Sequence, residues 1–159
     1  MRTRSSLVVA ALTLGACTDD ARKPSPMANP PTPSPAPASS PAEHISVDHI
    51  LIAVKNARMP EVRRTEAEAR KIAEELLAKL RAGGDWAAAK RANSEDPPPG
   101  GPYGMSNRGV RPVGGEIPRD SMVPAFGNVG FSLAVGEMGL ASFDAGTSPF
   151  GFHIIKRVK

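Results

Sequence analysis

Cysteine is almost absent from this sequence: Cys17 is the only one in 159 residues. An internal disulfide is therefore excluded, and the fold must be held by its core alone. No thiol nucleophile exists beyond position 17, and no persuasive Ser–His–acid set stands out either. Long apolar runs are missing as well. The stretch Ser5 to Leu14 is too short to cross a bilayer. Histidine is scarce, with three in the chain, and no ligand spacing recurs around them, so no metal or other cofactor is expected. There is no Lys/Arg run interleaved with aromatics. The net charge of +4 falls to +2 once residues 1–16, with Arg2 and Arg4, are set aside. A nucleic-acid partner is therefore not expected. No internal repeat is present.

What the chain does have comes in three segments. Met1-Arg2-Thr3-Arg4 is a positive leader, and Ser5 to Leu14 is an apolar stretch of signal-peptide length. Leu14-Gly15-Ala16-Cys17 then resembles the bacterial lipobox. That resemblance implies removal of residues 1–16, lipidation of Cys17 and anchorage in the cell envelope. Thr18 rather than Asp follows Cys17, which by resemblance to sorting patterns favours the periplasmic face of the outer membrane. Residues 17–43 form the second segment. Pro24, Pro26, Pro30, Pro31, Pro33, Pro35, Pro37 and Pro41 alternate there with Ser, Ala and Thr. Such a run lacks backbone donors and apolar bulk, so it predicts an extended, solvated tether of about 3.1 Å per residue. Residues 44–159 make the third segment, enough for one compact domain.

Within that domain, Ile45 to Val54 reads as a first strand, and the consecutive Ile50, Leu51 and Ile52 fit a central strand covered on both faces. Lys55, Arg58, Arg63 and Arg64 make the next loop basic, able to select acidic or phosphorylated substrates or merely to be solvated. Thr65-Glu66-Ala67-Glu68 is a capping box. Ile72, Ala73, Leu76, Leu77 and Leu80 continue it as one apolar helical stripe that Gly83 and Gly84 end. Asp85 caps a short second helix from Trp86, itself read as a core anchor. Residues 93–119 lose periodicity and are rich in Gly and Pro, as long functional loops are. Asp120 or Ser121 is expected to cap a helix carrying Met122, Phe126 and Val129. A strand at Leu140–Phe143, a turn at Thr147–Gly151 and a last strand from Phe152 follow. Gly151 suggests a bend or a close backbone approach. His49 and His153 sit in the first and last strands, where apolar residues are the rule. Two such histidines can face each other across a sheet.

Six stretches now line up: His49-Ile50-Leu51; Ser94-Glu95-Asp96-Pro97; Gly100-Gly101-Pro102-Tyr103-Gly104; Met122-Val123-Pro124-Ala125-Phe126; Phe131-Ser132-Leu133 with Val135-Gly136-Glu137; and Phe150-Gly151-Phe152-His153-Ile154-Ile155-Lys156. In this order they resemble the parvulin family of peptidyl-prolyl cis-trans isomerases, over residues 45–159. The resemblance implies an α+β fold: a single domain with a four-stranded antiparallel sheet, surrounded by about four helices, the histidine strands adjacent at its centre. It implies catalytic roles for His49, Asp96 and His153. It implies a proline pocket of Tyr103, Met122 and Phe126, with Ser148 and Phe150 facing substrate before the last strand. Two departures bear on this. Pro102-Tyr103 replaces the family's Asp-Leu, and Pro102 lacks a donor, which argues against the short second strand expected there. Residues 107–119 are an addition, read as a longer flap at the pocket rim.

The chemistry implied suits these residues. A prolyl amide rotates over a barrier of about 18–20 kcal/mol and no bond need break. An apolar pocket of Met122, Phe126 and Phe150 can grip the ring and exclude water, favouring the twisted amide. Asp96, assisted by the Ser148 hydroxyl, would stand by the rotating carbonyl. His49 and His153, hydrogen-bonded to one another, would set the polarity of the floor. The expected function is prolyl isomerisation assisting the folding of exported proteins. The expected partners are proline-containing polypeptides and unfolded chains, bound by a monomer anchored to a membrane. The alternative is a parvulin-fold chaperone module that binds unfolded chains with little turnover.

Overall fold

In the computed structural model, residues 42–56, 58–97 and 100–159 are described. The leader, Cys17 and nearly all of the Pro-rich tether lie outside them. The elements run β1 (His44–Ala53), α1 (Glu66–Arg81), α2 (Trp86–Asn93), β2 (Tyr103–Ser106), β3 (Ile117–Pro118), a 3-10 turn (Arg119–Ser121), α3 (Pro124–Ser132), β4 (Met138–Ala141) and β5 (Gly151–Arg157). The strands form one sheet in the order β3-β2-β1-β5-β4. The fold is parvulin-like α+β, with the two histidine strands adjacent and β1 at the centre.

The sheet is buried on both faces, which is why β1 reads as a continuous apolar run. Alternate residues Ile50 and Ile52 of β1 and Val54 just after it, with Phe152 and Ile154 of β5, pack against Ala69, Ala73, Leu77 and Leu80 of α1. The opposite parity, Ile45, Val47 and Ile155, packs against Met105 and the α3 residue Phe126. His49 and His153 have this second parity, so both point to the α3 side. The β1–β5 ladder pairs His49 with Ile155 and Leu51 with His153, which makes the histidines diagonal neighbours.

The helix starts follow from local chemistry. Thr65 caps α1 with the reciprocal box that the sequence predicts: Glu68 N–H donates to Thr65 Oγ1 at 3.3 Å, and Thr65 N–H to Glu68 Oε2 at 2.8 Å. These bonds hold the Glu68 carboxyl below its ordinary pKa. Asp85 caps α2 by accepting from Ala88 N–H at 3.0 Å. Helix α3 departs from expectation. Asp120 and Ser121 do not cap it; they lie in the 3-10 turn, and Asp120 pairs with Arg108 at 2.8 Å. Met122 is extended, at φ −88° and ψ 161°, and α3 begins at Pro124. Proline is suited to the first helical position and drives Val123 out of the helical region, so the helix cannot start earlier. Met122 and Phe126 are therefore not one turn apart on one helix.

Three further differences concern the sheet and its surroundings. Strand β2 forms despite Pro102, because its ladder with β1 ends at Val47–Tyr103 and needs nothing from Pro102. The sheet has a fifth strand: the 107–119 addition contributes β3, parallel to β2, with Pro118 tolerated at the sheet edge. The described residues hold three α-helices and one 3-10 turn rather than about four helices. Strand β4 lies two residues earlier than expected, because Asp144 begins a turn. Its Oδ1 accepts from Gly146 N–H, Thr147 N–H and the Thr147 hydroxyl at 3.0, 2.7 and 2.9 Å.

Candidate active site

Strand β2 pairs with β1 only over residues 44–47. Beyond that point the free edge of β1 needs partners. The segment after α2 supplies them. Leu51 N–H donates to Ser94 Oγ at 3.1 Å, Glu95 N–H donates to the Leu51 carbonyl at 2.9 Å, and Ala53 N–H donates to Glu95 Oε2 at 2.7 Å. Arg64 locks this junction, bonding the Ala53 carbonyl at 3.1 Å and Glu95 Oε2 at 2.7 Å. Ser94 and Glu95 thus dock the chain along β1, and the next residue, Asp96, arrives over His49. Asp96 Oδ2 lies 3.5 Å from His49 Nε2.

Tyr103 enters from β2. Its ring stacks on His49 with centroids 5.4 Å apart and planes inclined by 25°. Its hydroxyl donates to Asp96 Oδ2 at 3.3 Å. Phe126 of α3 closes the other side, edge-on to His49 at 5.1 Å and to His153 at 5.4 Å. His49, Asp96, Tyr103, Phe126 and His153 therefore form one cluster drawn from β1, β2, α3, β5 and a loop. Met122 packs half-buried against the core that contains Phe126.

The electrostatics follow from burial. Burial lowers the His49 pKa, and the Lys90 charge adds to this, while Asp96 and Asp48 pull the other way. Burial lowers His153 further, to about 3, with His49 adding to the effect. Both rings therefore tend to the neutral form at neutral pH. Burial, then the Asp96 carboxylate, raises the Tyr103 pKa, so the hydroxyl keeps its proton and acts as donor. An uncharged aromatic floor with one carboxylate and one phenol on top is the result.

Several expected site residues sit differently. The histidine rings are 5.5 Å apart, but among the described residues neither nitrogen of His153 nor Nδ1 of His49 has a hydrogen-bond partner, so the expected bond between them is absent. Diagonal placement brings the faces near without aligning a nitrogen on a nitrogen. Ser148 is fully buried and donates to the Gly151 carbonyl at 2.9 Å. It serves the turn before β5 and presents no hydroxyl to an open surface. Phe150 is half-buried, with its carbonyl accepting from Val54 N–H at 3.1 Å. Phe126 is only 2 % exposed, a core residue as much as a wall. Of the basic residues, Arg64 is occupied by Glu95, while Lys55, Arg58 and Arg63 are exposed.

The flap is fastened at both ends. Glu116 pairs with His44 at 2.7 Å, and Val113 N–H donates to the same carboxyl at 3.1 Å, which lowers its pKa. Arg119 bonds Asn107 and Asn128 at 2.9 and 2.8 Å and stacks over Phe131. Residues that the sequence reading passed over include Asp48 and Lys90. Asp48 accepts the Trp86 indole N–H at 2.7 Å and pairs with Lys90. Their only sequence signal is charge on a strand face and on a short helix, and solvated charges give the same signal.

The family model described as the PPIC-type PPIASE domain matches residues 37–159. No curated protein matches. Among solved structures, the solution structure of TbPIN1 aligns with a TM-score of 0.55 at 19 % identity, covering 74 % of this chain and 99 % of its own. NmPin, the parvulin of Nitrosopumilus maritimus, gives 0.46 at 23 % identity, over 76 % of this chain and all of its own. A PpiC-type peptidyl-prolyl isomerase domain solved by crystallography gives 0.43 at 22 %, over 76 % and 94 %. With the family match spanning most of its length, the chain belongs to the parvulins, the PpiC-type peptidyl-prolyl cis-trans isomerases.

Proposed function

We propose that this isomerase turns a prolyl amide at the Tyr103–Asp96–His49 cluster, above Phe126 and beside Met122, with no covalent intermediate. The single observation that supports this most is the convergence of Tyr103 Oη and His49 Nε2 on one carboxylate oxygen, at 3.3 and 3.5 Å. An apolar and aromatic floor excludes water, so polar groups at its rim act in a low dielectric. Tyr103 donates a hydrogen bond and Asp96 presents charge where the carbonyl swings. His49 and His153 keep the floor neutral. Phe126 is 2 % exposed, so the proline ring reaches it only as half-buried Tyr103 or Met122 gives way. Phe150 adds apolar surface at the rim. Ser148 acts indirectly, by holding the turn.

The test is a protease-coupled peptide assay on the whole chain. Asp96→Asn is nearly isosteric. It should melt within a few degrees of wild type and lower kcat/KM by about tenfold or more, the usual range for a positioned polar group. Wild-type kcat/KM in both Asp96→Asn and Tyr103→Phe would remove these residues from the mechanism. The near-closure of Phe126 favours a second reading, a chaperone module that binds unfolded chains with little turnover. Binding of a proline-rich unfolded chain by a protein with negligible peptide turnover would establish it.

The proposed setting is the cell envelope. A lipid on Cys17 would hold the domain on the periplasmic face of the outer membrane, among exported proteins that need prolyl isomerisation. The support is the leader and Leu14-Gly15-Ala16-Cys17. Wild-type protein should fractionate with membranes and Cys17→Ala should not; a soluble wild-type protein beginning elsewhere than residue 17 would overturn the anchor.

A further inference from the structure

Lys90 lies on α2, half-buried, with its side chain 21 % exposed. An ammonium has three protons to donate. Here each finds an oxygen: Asp48 Oδ1 on β1, the Gly100 carbonyl, and the Gly101 carbonyl at 3.0 Å. Asp48 is itself fixed, accepting the Trp86 indole at 2.7 Å and the His49 backbone N–H at 2.9 Å. The ion pair is thus built into β1, α2 and the glycine strap that leads into β2. A half-buried pair of this kind adds little net stability, but it restrains geometry strongly because all its donors are used.

The strap it holds lies against the prolyl site on its other side. Gly100 is buried at φ +47°, and a Cβ there would lie 3.4 Å from Asp96 Oδ2 and 3.9 Å from Lys90 Cε. A Cβ on Gly101 would lie 3.2 Å from the Tyr103 amide nitrogen. The strap is therefore in van der Waals contact with Asp96 and Lys90 at Gly100, whose φ favours glycine, and tight against the Tyr103 backbone at Gly101. Tyr103 follows two residues later, so the height of the strap sets where its ring and hydroxyl fall. Beside the strap is an open groove of about 360 Å³, bordered by Asp48, Trp86, Lys90, Ser94, Asp96 and Gly100. A strap released from Lys90 has room to relax into it.

We propose that Lys90 is a positioning residue for prolyl isomerisation: anchored on Asp48, it clamps the Gly100 and Gly101 carbonyls and so seats Tyr103 on His49 and against Asp96. The inference rests on the assignment of Tyr103, Asp96 and His49 to the prolyl site made above. Lys90 also acts on His49 through space. The charged and titratable groups around that ring are Asp48, Asp96, Lys90, Tyr103 and His153; α3 adds only the apolar Phe126. Removing the Lys90 charge leaves two carboxylates facing His49 with no cation against them, so the His49 titration moves to higher pH.

The experiment is steady-state isomerisation of a proline-containing peptide by the whole chain, across pH, for Lys90→Met, Lys90→Arg, Asp48→Asn/Lys90→Met and Tyr103→Phe. Lys90→Met should lower kcat/KM by about tenfold, since a loss of seating of this order is what misplaced groups cost. Lys90→Arg, still able to bridge Asp48 and a carbonyl, should recover most of it. The acid limb of the pH profile should move up in Lys90→Met and return in Lys90→Arg. A purely structural lysine would lower activity through stability and leave the limb in place, and that outcome refutes the proposal. Should Lys90→Met leave Asp48 unpaired and fail to fold, the double variant removes both charges and carries the same expectation of lost kcat/KM. Wild-type kcat/KM in the lysine variants beside a depressed Tyr103→Phe overturns the clamp alone. Wild-type kcat/KM in every variant, Tyr103→Phe included, removes the site assignment and the clamp with it.

Discussion

His153 is 5 % exposed and neither of its ring nitrogens has a partner among the described residues. Burial holds its pKa near 3 against an ordinary 6.5. The unfolded chain therefore takes up the proton first. The stability linked to this ring is complete above pH 6.5 and drains away as the pH falls toward about 3. The slope is up to about 1.4 kcal/mol per pH unit for one such group. His49, lowered by burial as well, works in the same direction. His153→Leu removes the titrating group and two unpaired nitrogens, so it should be at least as stable as wild type near pH 7. Its melting temperature should also fall less between about pH 6.5 and pH 4. Parallel acid slopes for the two proteins would show that His153 titrates normally. The pair of strand histidines was legible in the sequence because imidazole inside a β-branched run is out of place. Their lack of a mutual hydrogen bond was not, because it depends on a diagonal register set by the whole ladder.

At the scale of elements, two substitutions of unequal weight test what holds the site's supports. Gly151 pairs with Ala53 at the end of the β1–β5 ladder, at φ +156°. A Cβ there would lie 2.2 Å from the Ile52 carbonyl oxygen and 2.7 Å from Ala53 Cα, both of them backbone atoms that cannot swing aside. Gly151→Ala must part the strands that carry His49 and His153, and should cost more than about 3 kcal/mol in urea unfolding. A cost below about 1 kcal/mol would mean that the ladder end yields freely. Thr65→Ala loses one reciprocal cap of α1 and should cost only about 1 kcal/mol. The caps of α1 and α2 were readable from the chain, since each depends on residues a few positions apart; at Gly151 the glycine itself signalled a close approach, though its partners Ile52 and Ala53 lie in the distant strand β1. The start of α3 was misread because Asp120 is drawn away by Arg108 and Pro124 imposes its own boundary. The docking of Ser94 and Glu95 on β1 was invisible for another reason. It answers a vacancy that exists only once β2 has been seen to pair no further than Val47.

For the molecule as a whole, the site is assembled from both ends of the domain. Ser46 N–H donates to the Lys159 carbonyl at 3.0 Å, and Val158 N–H to the Ser46 carbonyl at 2.7 Å, so the start of β1 and the end of the chain close on each other. The flap joins the same corner. Asn107 N–H donates to the Glu43 carbonyl at 2.8 Å and its side chain to the Ala42 carbonyl at 2.9 Å, while His44 holds Glu116. These contacts put the functional start of the domain a little before β1, and they separate two truncations. A chain beginning at Ser39 keeps every one of them and discards most of the Pro-rich segment, whose composition offers no apolar face to dock. It should melt within a few degrees of the chain beginning at Cys17 and match its kcat/KM. A chain beginning at Ile45 loses both Asn107 bonds and the His44–Glu116 pair. At about 1 kcal/mol for each of the two Asn107 hydrogen bonds, it should melt about 5–10 °C lower. A large drop already at Ser39 would mean that the proline segment packs on the domain. Equal melting of all three chains would mean that the flap draws no stability from residues 42–44, leaving Arg119, through Asn107, Asn128 and Phe131, as its fastening.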